Sequence, residues 1–83
     1  MTANGKPYVL VVEDDAPVRN LITTTLESQN YKYMTSTNGG QAVMAAASGN
    51  PDIILMDLGL PDMDGVEVLR RLRQWDQIPI LVV

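Results

Sequence analysis

The sequence predicts an α/β domain in which a parallel sheet carries helices on both faces. Two runs, Val9–Val12 and Ile53–Met56, are apolar without interruption, the pattern of strands buried on both faces, and such strands belong to parallel sheets. Helical patterns lie between and after them, so strand and helix alternate three times over. The chain has 83 residues and is 46% apolar, which suits one small domain burying roughly 60–65% of its unfolded surface.

The elements follow in order. Residues 1–6 read as a flexible leader, and Tyr8–Val12 is the first strand. Asp15 is a good N-cap for a helix that tolerates Pro17 in its first turn. Val18, Leu21, Ile22, Thr25 and Leu26 then form the stripe of an amphipathic helix, which Asn30 can close. Tyr31–Thr35 is a weaker strand that suits a sheet edge. Asn38–Gly40 reads as a turn, Gln41–Ser48 as a short helix stopped by Gly49-Asn50-Pro51, and Ile53–Met56 as the third strand. Two glycines and a proline make Leu58–Gly65 a loop. Val66–Trp75 is a helix with Val66, Leu69 and Leu72 inward and Glu67 placed to pair with Arg71. Ile80–Val83 begins a fourth strand.

Composition narrows the function. The net charge is −4, which argues against binding a polyanion or an anionic membrane surface. The chain has no cysteine and no histidine, which removes disulfides, thiolate and imidazole metal sites and the usual general base. The apolar runs are too short to span a bilayer, and residues 1–6 lack the apolar core of a signal peptide. The expectation is a cytoplasmic protein. The acidic residues are better placed. In an open parallel sheet, functional groups collect at the carboxyl ends of the strands. Glu13-Asp14-Asp15 follows the first strand and Asp57 the third. If those strands are neighbours, about 4.8 Å apart, Glu13, Asp14 and Asp57 share one hollow. Their mutual repulsion is relieved by an oxygen-seeking divalent cation, with Mg²⁺ the usual one in phosphate chemistry.

Val9–Asp15 (VLVVEDD), Pro51–Gly65 (PDIILMDLGLPDMDG) and Ile78–Val83 (IPILVV) together resemble the receiver domain of two-component response regulators. The stretch Asp57–Trp75 looks closest to the potassium-uptake (Kdp) regulators of the winged-helix, OmpR-like class. The resemblance implies a flavodoxin-like (CheY-like) sheet of order 2-1-3-4 over residues 7–83. It also implies roles. Asp57 matches the aspartate that takes a phosphoryl group from a sensor histidine kinase. Asp14 matches a direct Mg²⁺ ligand, Glu13 an acid acting through water, and Gly59 a backbone carbonyl ligand. Pro61 and Gly65 match residues that shape the neighbouring loop. The family pattern continues with a fifth strand, two further helices, a Ser or Thr after strand four, an aromatic switch and a lysine. None of these stands here, so the chain reads as the N-terminal two-thirds of a receiver. The full-length form would control transcription. Transfer onto this chain should be slow or absent.

Other readings compete. Asp15 alone reads as a helix cap. Arg70, Arg71 and Arg73, beside Glu67 on a negative chain, read as a solvated face rather than a nucleic-acid patch. Asp62-Met-Asp64-Gly-Val66 fits a signature of Mg²⁺-dependent phosphohydrolases, but that signature follows a central strand, which excludes Pro61. An EF-hand loop would put ligands at Leu60 and Arg71. The runner-up is an interaction fragment that does not switch, with Ile80–Val83 an unprotected edge through which copies self-associate.

Overall fold

The computed structural model describes residues 6–57, 65–73 and 78–82. The elements are β1 (Val9–Val12), α1 (Ala16–Ser28), β2 (Tyr33–Ser36), α2 (Gly39–Gly49), β3 (Ile53–Met56), α3 (Gly65–Arg73) and β4 (Ile80–Val82). Their strands form one parallel sheet of order β2-β1-β3-β4. This is the predicted fold class and strand order. Register is in step across the two central strands, with Val9 opposite Ile53 and Val12 opposite Met56. A ring of backbone and side-chain bonds starts that register. The amide of Tyr8 donates to Oδ2 of Asp52 at 2.7 Å, and the amide of Asp52 donates to the Tyr8 carbonyl at 2.7 Å.

The core lies on one face. Leu10, Val12, Ile54 and Met56 of the central strands pack with Ala42 and Ala46 of α2, Val68 and Leu72 of α3, and Ile78. The alanines let α2 approach the sheet closely, which is why an alanine-rich helix belongs there. α1 packs against β1, where Val9 and Val11 are buried.

Several element readings need correcting. Asn38–Gly40 is not a free turn: Asn38 is the N-cap of α2 and Gly39 its first residue. The cap is built from polar side chains, since Oδ1 of Asn38 accepts the Gln41 amide at 2.9 Å, and Oε1 of Gln41 accepts the Thr37 amide at 3.1 Å. Those bonds outweigh the helix-weakening glycines. The inward face of α3 holds Val68, Leu69 and Leu72, whereas Val66 is 64% exposed. Val66 and Leu69 fit an i, i+3 spacing equally well, so only contact with the sheet decides the phase. The apolar stripe of α1 is also drier in pattern than in fact. Leu21 is 69% exposed and no residue of α1 is fully buried. Ile53 and Leu55 of β3 are likewise half-buried rather than buried, because the α2 and α3 layer covers the opposite face. Lys6, assigned to the leader, is held: its ammonium donates to the Gln29 carbonyl and sits 4.9 Å from the centre of the Tyr31 ring. Leu58–Asp64, Trp75 and Val83 lie outside the described residues.

Candidate functional site

Adjacency of β1 and β3 decides where the acids stand. β1 ends at Val12 and β3 at Met56, which are register partners, so Glu13 and Asp57 leave the sheet side by side. Backbone bonds hold both exits. The Glu13 amide donates to the Ser36 carbonyl at 3.0 Å, tying it to β2, and the Asp57 amide donates to the Val12 carbonyl at 3.0 Å, tying it to β1. Asp14 follows on the turn into α1, and Asp15 caps that helix by accepting the Val18 amide at 3.2 Å. The cap reading of Asp15 is the one the geometry bears out.

Three carboxylates meet at this point. Glu13, Asp14 and Asp57 each present an oxygen, and these oxygens lie within 4.8 Å of one another. Glu13 is 5% exposed, Asp57 is half-buried and Asp14 is exposed, so the cluster runs from the protein interior to solvent. Burial pushes the Glu13 carboxyl above its usual 4.5, and the neighbouring Asp57 and Asp14 charges push the same way. The Asp15 amide opposes this by donating to Oε1 of Glu13 at 3.1 Å. The result is a buried acid held in place by its own turn, beside two carboxylates that gain from a shared cation.

The donor set suits a hard divalent ion. It consists of carboxylate oxygens only, the ligands Mg²⁺ prefers, and it lies open to water on the Asp14 side, as an ion that keeps part of its hydration shell requires. Gly59 and Pro61 lie outside the described residues. Gly65 opens α3, at the far end of the intervening segment from Asp57.

The basic residues of α3 do not join this site. Arg71 pairs with Glu67 at 3.1 Å, as its spacing predicts, and Arg70 pairs with the same carboxylate. Arg73 donates to the Ile78 carbonyl at 2.6 Å, linking α3 to the start of β4. One contact near the acids escaped the sequence reading. Arg19 reaches back from α1 to the Glu13 carbonyl. Its only sequence signal is a cation in the first helical turn, where the dipole disfavours one.

Comparison with known proteins agrees with this geometry. Residues 9–83 match the response regulator receiver domain family. The chain is 40% identical over 75 residues to the KDP operon transcriptional regulatory protein KdpE of Escherichia coli, covering 90% of this chain and 33% of that protein. It is 36% identical over 83 residues to the transcriptional regulatory protein ResD of Bacillus subtilis, covering 100% of this chain and 35% of that protein. The chain therefore spans about a third of the length of these relatives. Among solved structures it resembles the receiver domain of a sensor histidine kinase from Pseudomonas aeruginosa, with a TM-score of 0.88 and 32% identity over 94% of this chain and 66% of that one. In that protein a magnesium ion is coordinated in the active-site cleft.

Proposed function

The chain belongs to the response regulator receiver domain family, a family of phosphoacceptors rather than classical enzymes, and from this we propose that Asp57 accepts a phosphoryl group with Mg²⁺ held beside it. The observation that carries the reading is the convergence of Glu13, Asp14 and Asp57 oxygens within 4.8 Å at the carboxyl ends of two adjacent strands. Asp14 and Asp57 would hold the ion directly, with Glu13 behind them through water and the Gly59 carbonyl completing the protein ligands. Pro61 and Gly65 would shape the loop beside them. Bound there, Mg²⁺ neutralises charge on the transferring phosphoryl group.

The chain's own residues supply the rest. Asp57 is the nucleophile because it is half-buried, fixed by its amide to β1 and next to the open side of the cluster. Its carboxylate oxygen forms the new bond to phosphorus while the P–N bond of a sensor kinase's phosphohistidine breaks and the electron pair leaves with the imidazole. Glu13 is too enclosed, at 5% exposure, to reach an incoming phosphoryl group. Asp14 sits on a turn in solvent and serves better as a ligand. The partner is a cytoplasmic sensor histidine kinase domain, and the output, in a full-length protein, is control of transcription. Arg70 and Arg71 are engaged by Glu67, which supports the view that this segment does not itself grip nucleic acid. The test is Mg²⁺-dependent uptake of phosphoryl from acetyl phosphate, which Asp57→Asn and EDTA should each abolish. Uptake by the variant would overturn the assignment.

A second property rests on a separate observation. β4 is outermost in the described sheet, and its Leu81 and Val82 are 54% and 50% exposed. Its residues Ile80–Val82 carry no charge or proline to deter pairing. The isolated 83-residue chain is proposed to self-associate along this strand. Sedimentation at micromolar concentration checks it, and a clean monomer would contradict it.

A further inference from the structure

Arg19 stands where helix physics disfavours it. It lies in the first turn of α1, which begins at Ala16, so its charge faces the positive end of the helix dipole. The guanidinium turns back over the cap instead of out to solvent. Its Nη1 donates to the Glu13 carbonyl at 3.0 Å and lies 3.5 Å from the Asp14 carbonyl. These are the backbone carbonyls of two of the three clustered acids.

We propose that Arg19 is a positioning residue for the cation site, fixing the peptide planes of Glu13 and Asp14 so that both carboxylates face Asp57. The inference rests on the Mg²⁺ reading above. Apart from the Asp15 carbonyl, which accepts the Arg19 amide at 2.9 Å, the other ties on this turn hold its amides: Glu13 N–H to Ser36 at 3.0 Å, and Asp15 N–H to Oε1 of Glu13 at 3.1 Å. Neither fixes the peptide that joins Glu13 to Asp14. Turning that peptide would shift Asp14 out of the cluster and loosen the Asp15 amide bond that spans it. The bond from Arg19 is the contact that resists this rotation. Arginine suits the task because the two N–H bonds of its Nη1 are held in the guanidinium plane, so one nitrogen reaches both acceptors.

Charge and position predict opposite outcomes. A guanidinium near a cation site repels the cation, so removing its charge alone would tighten Mg²⁺ binding. Removing the tether would weaken it, as loss of a group that orients a metal ligand from behind commonly does. The decisive experiment is calorimetric titration of the 83-residue chain with MgCl₂, together with hydrogen exchange at the Asp15 amide in EDTA. Arg19→Ala should weaken Mg²⁺ binding on the order of tenfold and speed Asp15 exchange. Arg19→Lys, which keeps a cationic N–H donor group, should recover at least half of that loss on a logarithmic scale. Unchanged or tighter binding by Arg19→Ala, or a lysine variant as weak as the alanine one, would overturn the proposal. If Arg19→Ala does not fold, Arg19→Met decides, since it lacks both charge and donor: weaker binding than wild type supports the tether, and unchanged or tighter binding refutes it. Wild-type chain that fails to bind Mg²⁺ at all would instead defeat the underlying reading.

Discussion

Replacing Asp14 by asparagine should invert the order of stability between Mg²⁺-free and Mg²⁺-bound conditions. The substitution keeps the shape of the side chain and removes one charge from the cluster. At 4.8 Å, the outer limit of the oxygen separations in the cluster, two carboxylates repel by about 3.5 kcal/mol at an effective dielectric near 20 and about 0.9 kcal/mol in bulk water. Asp14 is exposed, so the lower figure governs, and Asp14→Asn should stabilise the Mg²⁺-free chain by about 1 kcal/mol. In a domain of this size that is roughly 4–8 °C in Tm. With Mg²⁺ at 100 times its dissociation constant, wild type gains about 2.7 kcal/mol. The variant, lacking a direct ligand, gains little. Wild type should then lead by roughly 1.7 kcal/mol. Urea denaturation followed by far-UV circular dichroism, in EDTA and in Mg²⁺ at matched ionic strength, measures both differences. An asparagine variant that is weaker than wild type in EDTA, or that gains as much from Mg²⁺, would rule out carboxylate repulsion relieved by a cation at this cluster.

Ile54→Ala removes a fully buried side chain from the core and should cost about 2–5 kcal/mol, a large part of the roughly 4–12 kcal/mol expected of a domain this small. Leu21→Ala, at a position 69% exposed, should change the urea midpoint little, and equal effects at the two sites would contradict the described core. The Tyr8 amide holds the Asp52 carboxyl below its usual 3.8. A depressed folded value means that this contribution is present above about pH 4 and is lost as pH falls through the folded value. The raised Glu13 works in the opposite sense, costing stability as pH rises above 4.5. Asp52→Asn keeps an oxygen acceptor for Tyr8 and should flatten the acid limb of the stability–pH curve; a limb as steep as wild type would count against it.

Much of this was legible in the residues. Val9–Val12 and Ile53–Met56 identify central strands because only burial on both faces tolerates such runs, and their adjacency brings Glu13 to Asp57. What escaped depended on contacts between elements. Val66 and Val68 are equally apolar, and only the sheet beneath α3 selects Val68. Asn38 looked like part of a turn because two glycines follow it, while the bonds that make it a cap run through Thr37 and Gln41. Arg19 and Lys6 are single cations with no motif around them. Their partners, Glu13 for one and Gln29 with Tyr31 for the other, are carbonyls and a ring that folding brings within reach.

Asp57 is the proposed phosphoacceptor, and its modification can be read directly. Tandem mass spectrometry of the chain after prolonged incubation with acetyl phosphate and Mg²⁺, with the acyl phosphate trapped by borohydride, locates the modified residue directly. Any labelling should be slow, confined to Asp57 and absent from Asp57→Asn. Label on Asp14, Asp62 or Asp64, or label that survives in the asparagine variant, would overturn that assignment.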